Sequence, residues 1–258
     1  MSQVPEADSL IIVAGWRLNC GRGMGSSVLS RSLLLGSVFI SMVGAVCAHD
    51  YWFEAGDGDY ALYRGHRFSQ HVGELEPYEP AIIQSATCLT DAGLEPVFQA
   101  QRQYPLRIQG DCVAVLVSIY SGYWSETPEG LENRPKDELS VVLDSWEALE
   151  SAKLVDVWNT RLQRPMSTGL ELVLTENPFD LEPGDKLRVV ATLAGRPVRG
   201  VTVAYDGDPR GVTDRNGRIN IRIRHGGIQN VSAGLLEELG REKADKRVHS
   251  AVLQFELP

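Results

Sequence analysis

Between residues 49 and 120 the chain alternates short apolar or β-branched runs with Gly, Pro and Asp. Tyr51 to Glu54, Tyr60 to Tyr63, Pro105 to Ile108 and Val113 to Tyr120 are such runs. Runs of this length punctuated by turn residues predict the strands of a sandwich or barrel. A stretch rich in Gly, Pro and Glu follows, Ser121 to Lys136, and predicts a long loop that carries Tyr123 and Trp124. Connections of that length serve as binding elements or packed surface flaps. From Glu138 to Leu154 the apolar positions Leu139, Val142, Leu143, Trp146, Leu149 and Ala152 recur at helical spacing, which predicts one amphipathic helix over 138–154.

The last third patterns differently. Leu170 to Leu174 reads as a strand, and Leu187, Val189 and Ala191 alternate with Arg188, Val190 and Thr192. Gly195-Arg196-Pro197 turns the chain into Val198, Val201, Val203 and Tyr205, and Thr213-Asp214-Arg215-Asn216-Gly217 is a hairpin-type turn before the alternating run Arg218 to Arg224. A charged segment from Leu235 to Arg247 is expected to be helical, and Ala251 to Leu257 is the final strand. The fold expected is therefore mainly β. It comprises an N-terminal β-sandwich-like domain over 49–168, with its one amphipathic helix, followed by an immunoglobulin-like or transthyretin-like β-sandwich over 169–258.

The run from Leu33 to Val46 is the one long apolar stretch. Arg31 precedes it and Val46-Cys47-Ala48 ends it. It is too short to span a bilayer and fits the apolar core of an export signal with a small-x-small cleavage site. Residues 1–48 are therefore expected to be a signal peptide with Met24 as the true start of translation, and His49 begins the mature chain. That chain is expected to be periplasmic or secreted and to lack a transmembrane helix. The formal net charge of −9 over 258 residues, with Lys and Arg scattered among acids, excludes a nucleic-acid partner. Cys88 and Cys112 are the cysteines left after cleavage, and an even pair in an exported chain reads as a disulfide. No nucleophile elbow, phosphate loop, dinucleotide fingerprint or His-Glu-x-x-His helix occurs, so an enzyme is not expected.

Several segments together resemble a family of exported proteins of unknown function, often described as nickel uptake transporter family proteins or periplasmic components of cobalt transport. The resemblance rests on Ala48-His49-Asp50-Tyr51-Trp52 and on Ser121-Gly122-Tyr123-Trp124-Ser125-Glu126-Thr127-Pro128-Glu129-Gly130. Asn177-Pro178, Pro183-Gly184-Asp185, Gly195-Arg196-Pro197 and Thr213-Asp214 with Gly217 extend it over nearly the whole mature chain. The last group is turn chemistry shared by many sandwich modules; the first two stretches are the specific ones.

Cleavage before His49 would give one residue a free α-amino group and an imidazole, two neutral nitrogens that chelate one ion. Such donors suit Ni, Co, Cu and Zn. His66 and His71 are the candidates for a further ligand. His71 is preferred because Val72-Gly73-Glu74 after it resembles a segment that the family places near its N-terminal strand. Asp50 and Glu74 are expected as oxygen ligands or as partners that orient an imidazole. His225 and His249 read as ordinary hydrogen-bonded histidines, and Trp52, Tyr123, Trp124 and Trp146 as packing aromatics. The resemblance implies a periplasmic binding protein for nickel or cobalt that passes the ion to a membrane importer or outer-membrane receptor. Two other functions fit the pattern less well: a structural or protein-interaction sandwich without metal, and a copper-dependent oxidative enzyme with an N-terminal histidine.

Overall fold

The computed structural model describes residues 50–258 except 57, 67–73 and 98–102, with the backbone alone at Asp50 and His66. His49 and His71 lie outside the described residues, as do the signal segment 1–48 and the expected start at Met24. The described chain is built from strands and short 3₁₀ turns. In order, the strands are β1 (Asp50–Gly56), β2 (Asp59–His66), β3 (Glu74–Leu75), β4 (Ile83–Leu89), β5 (Leu94–Pro96), β6 (Leu106–Gln109), β7 (Ala114–Thr127), β8 (Gly130–Glu132) and β9 (Asp144–Val155). Then come β10 (Glu171–Leu174), β11 (Lys186–Leu193), β12 (Arg196–Pro197), β13 (Thr202–Tyr205), β14 (Asp208–Val212), β15 (Arg218–Arg222), β16 (Gly227–Glu238) and β17 (Lys246–Leu257).

These strands form three sheets. The central one runs β14-β13-β16-β17-β9-β7-β4-β5, with β8 beside β7. Its one parallel pair joins β17 to β9, Lys246 opposite Trp146 through Gln254 opposite Leu154, so residues on both sides of position 168 share a single sheet. An N-terminal sheet (β1, β2, β3, β6) and a C-terminal sheet (β10, β11, β12, β15) complete the set.

Alternation along the central strands sends neighbouring side chains to opposite faces, and each face has its own core. On one side Val115, Val117 and Ile119 of β7 and Ala152 and Leu154 of β9 pack with Tyr51, Phe53, Tyr60, Leu62, Leu106 and Ile108 of the N-terminal sheet. On the other, Val155 of β9 and Ala251, Leu253, Phe255 and Leu257 of β17 pack with Leu172, Leu174, Leu187, Val189 and Ile221 of the C-terminal sheet. The mainly β, sandwich-like expectation is met, in the form of one sheet covered on both faces. The expected disulfide is present, Cys88 to Cys112 with a Cα–Cα distance of 5.4 Å, and it ties β4 to the entry of β7.

Three expectations need correction. The helix over 138–154 is strand β9, preceded by a 3₁₀ turn at Lys136–Glu138. Because β9 lies inside the sheet with a core on each side, it buries Ala148, Ala152 and Leu154 on one face and Ser151, Lys153 and Val155 on the other. That erases the period-2 pattern and lets a spurious helical period stand in its place. The charged segment from Leu235 to Arg247 is the end of β16, a turn and the start of β17. Its charges meet across strands, as Arg247 Nη1 and Glu237 Oε2 at 3.9 Å, rather than along a helix. The loop predicted from Ser121 begins only at the β7–β8 turn. β7 continues to Thr127 past a bulge at Tyr120–Gly122, setting Tyr123 opposite Glu147 and Trp124 opposite Trp146.

Candidate functional site

The start of β1 forms the candidate site. The β1–β2 hairpin pairs Asp50 with Gly65 and Tyr51 with Arg64. Beyond it β3 adds to β2 with Gly65 opposite Leu75 and His66 opposite Glu74. The fit at this corner needs glycine: a Cβ on Gly65 would sit 2.1 Å from the Glu74 carbonyl oxygen. Backbone pairing thus brings Asp50, His66 and Glu74, separated in sequence, to one end of the N-terminal sheet. Residues 67–73, including His71, are the sequence between His66 and Glu74. Among the described residues no three His, Cys, Asp or Glu side chains converge on one point.

Beneath this corner, between the N-terminal and central sheets, lies a polar cluster that the sequence reading missed. Glu150 of β9 accepts a hydrogen bond from the Ser121 hydroxyl of β7. Burial pushes its carboxyl above the usual carboxylate range, against the opposing pull of Ser121, Arg64, Tyr51 and Ser250. Tyr51 is 3% exposed, and burial together with the nearby Glu150 carboxylate pushes its phenol upward as well. Its hydroxyl and the Arg64 Nε are buried without a partner in good hydrogen-bonding geometry. Arg64 Nη2 lies 3.4 Å from Glu76 Oε2 and so links the cluster to the residue that follows β3. Imperfectly paired buried polar atoms carry a desolvation cost, and two of them lie here beside a carboxylate, close to the start of β1. Glu150 was hidden because its neighbours were read as helical. As a strand position it alternates with Ala148, Ala152 and Leu154, an acid on an otherwise apolar face, and that pattern could have exposed it.

The remaining histidines take structural places. His249, 6% exposed on β17, sets its Nε2 2.8 Å from Glu237 Oε2. His225 stacks on Tyr205, with ring centroids 5.9 Å apart. Its Nδ1 lies 2.7 Å from the Gly226 carbonyl and its Nε2 2.9 Å from Asp206 Oδ2. Two acceptors for two ring nitrogens favour the doubly protonated imidazolium, and these contacts, led by Gly226, raise its pKa. Trp52 is buried and stacks on Tyr63 with ring centroids 6.0 Å apart.

No curated protein matches this chain. Among solved structures, a four-domain immunoglobulin fragment of Dscam1 isoform 1.9 aligns at 13% identity and a TM-score of 0.20, over 67% of this chain and 37% of that one, a likeness too slight to carry an argument. The chain spans little more than a third of that fragment. A family model described as domain of unknown function DUF4198 matches residues 48–236, from the last residue of the expected signal through most of β16. The match takes in β1, both strands that hold the corner glycine and its partner, and the Glu150 cluster, and the chain belongs to the DUF4198 family.

Proposed function

We propose that this protein is an exported binding protein for a divalent transition metal, nickel or cobalt, that supports uptake of the ion. In this reading the cargo is held by the α-amino group and imidazole of His49 at the processed N-terminus. His71 or His66 supplies a further nitrogen, and Asp50 and Glu74 supply oxygen or orient a ring. The single observation that carries the reading is the register at the start of β1. Asp50 opposite Gly65 and His66 opposite Glu74 put the residue after the mature amine and one histidine of the pair at the same end of one small sheet. A membrane importer or outer-membrane receptor would receive the ion.

The test is calorimetry with Ni²⁺ and Co²⁺ on the processed protein, on His49→Ala and on protein keeping one extra N-terminal residue, alongside N-terminal sequencing and metal analysis of material from the periplasm. Stoichiometric binding lost in both altered forms is the expected result. Equal affinity in all three, or a mature chain starting elsewhere, removes the role given to the amine.

A further inference from the structure

Far along the chain from the β1 corner, the 3₁₀ turn at Thr160–Gln163 and the residues after it face β4 and β5 across a cleft of about 490 Å³, within the range of small-molecule sites. Leu89, Leu94, Pro165 and Met166 give it an apolar floor and wall, and Thr160, Arg161, Gln163 and Arg164 line the rest. Both arginines are exposed, and among the described residues neither guanidinium has an ion-pair or hydrogen-bond partner. Arg161 reaches toward the β4–β5 turn: its Nη1 would lie 4.0 Å from a Cβ on Gly93. Asp91, in that β4–β5 turn, accepts from the Asn159 side-chain amide at 3.1 Å.

The walls are held before any ligand arrives. Leu162 is fully buried beneath the turn, and Asn159 Oδ1 accepts from the Arg161 amide at 2.9 Å. The Glu171 carboxylate accepts from the Met166 and Ser167 amides, each at 2.9 Å, and Gln163 Nε2 donates to the Thr175 carbonyl at 2.8 Å. On the facing side the disulfide at Cys88 fixes the residue next to Leu89. Leu94, by contrast, leaves 49% of its surface in water. Two unpaired guanidiniums beside an exposed, pre-positioned apolar wall describe a receptor for an amphipathic anion, since the planar fork of arginine matches a carboxylate and the hydrocarbon body covers Leu94.

We propose that this cleft binds small organic carboxylates, the head group on Arg161 and Arg164 and the apolar body against Leu94, Pro165 and Met166. The site is separate from the one given to metal and does not depend on that reading.

The experiment is an NMR titration of the purified protein with octanoate, set beside octanol (same body, no charge) and acetate (same head, no body). Octanoate is expected to shift the amides of residues 160–164 and Met166 and to bind at least about tenfold more tightly than either control. The double variant Arg161→Ala/Arg164→Ala is expected to lose about tenfold in octanoate affinity while keeping its urea midpoint, because both side chains are exposed. Leu94→Ser, which leaves the charges in place, is expected to weaken octanoate and leave acetate unchanged. Absence of saturable octanoate binding near about 10 mM, equal binding of octanol, or affinity unaltered in the arginine variant each overturns the proposal.

Discussion

The two faces of the central sheet are covered by layers of equal strand number but unequal construction. The N-terminal layer packs two tyrosines, Tyr60 and Tyr78, whose hydroxyls are engaged. Tyr60 donates to the Cys112 carbonyl at 3.0 Å, and Tyr78 donates to the Leu62 carbonyl at 2.9 Å while accepting from the Leu106 amide at 2.9 Å. Burial, above all, pushes both phenols up to about 12, which keeps them neutral donors at any physiological pH. The C-terminal layer is held by aliphatic packing around one fully buried ion pair, Lys153 Nζ to Glu171 Oε1 at 2.8 Å. Apolar burial is non-directional and tolerates sliding, whereas hydrogen-bonded tyrosines fix position. The layer carrying the candidate site is thus fastened by tyrosine hydroxyls, and the other by aliphatic packing and the Lys153–Glu171 pair.

On that contrast, the largest single loss comes from the back face. Lys153→Met leaves Glu171 buried without its cation and is expected to cost about 3–5 kcal/mol in urea unfolding, lowering protection of β10 and β11 amides in hydrogen exchange. Replacing Cys88 and Cys112 together by Ala removes a cross-link and is expected to cost about 2–4 kcal/mol. The exchange penalty should then concentrate in β4, β6 and the start of β7. Equal loss of protection in both layers would dissolve the distinction drawn here.

Smaller effects sharpen it through pH. For Glu150 the folded carboxyl is raised, so the native state holds its proton more tightly than the unfolded chain does. Its contribution to stability therefore falls as pH rises from about the ordinary 4.5 through the raised value. Glu150→Gln is expected to flatten that part of the stability–pH curve and to leave the protein no less stable at neutral pH. A steeper fall in the variant would show that burial is not the governing cause. His225 acts in the same direction from the C-terminal half. Its folded pKa is raised, so its contribution is complete below the ordinary 6.5 and is lost as pH climbs through the folded value. The ring is half exposed, so His225→Gln should change stability by under about 1 kcal/mol, visible as a loss of slope above neutral pH.

How much of this was legible depends on where a strand sits in its sheet. Edge and surface strands kept their signatures: β11 shows Leu187, Val189 and Ala191 inward with Lys186 and Arg188 outward, and the Thr213–Gly217 turn enters β15 as its residues dictate. The disulfide was legible from the cysteine count and the expected export alone. β9 was not, because a strand between two cores has no wet face to alternate against. The extension of β7 through Tyr123 and Trp124 was masked by its bulge and by glycines that mimic loop composition. Of the candidate site, the sequence supplied Asp50, His66 and Glu74 but not the pairing that joins them, since register is a property of two strands and a close-packed Gly65. Glu150, Ser121 and Arg64 come from three separate strands, and no local spacing announces such a convergence.

Gln254 of β17 lies opposite the outer edge of β1, where its side-chain amide donates to the Phe53 carbonyl at 2.8 Å and its oxygen accepts from the Phe53 amide at 2.9 Å, across 201 positions of chain. One carboxamide thereby imitates a passing peptide and closes an edge that would otherwise recruit a foreign strand. The order of events during folding follows from this. The β1–β2 hairpin, made early, must wait, unlatched, for almost the last residues before the front of the molecule can lock, so a nascent chain stalled short of Gln254 should present an open hairpin to its surroundings.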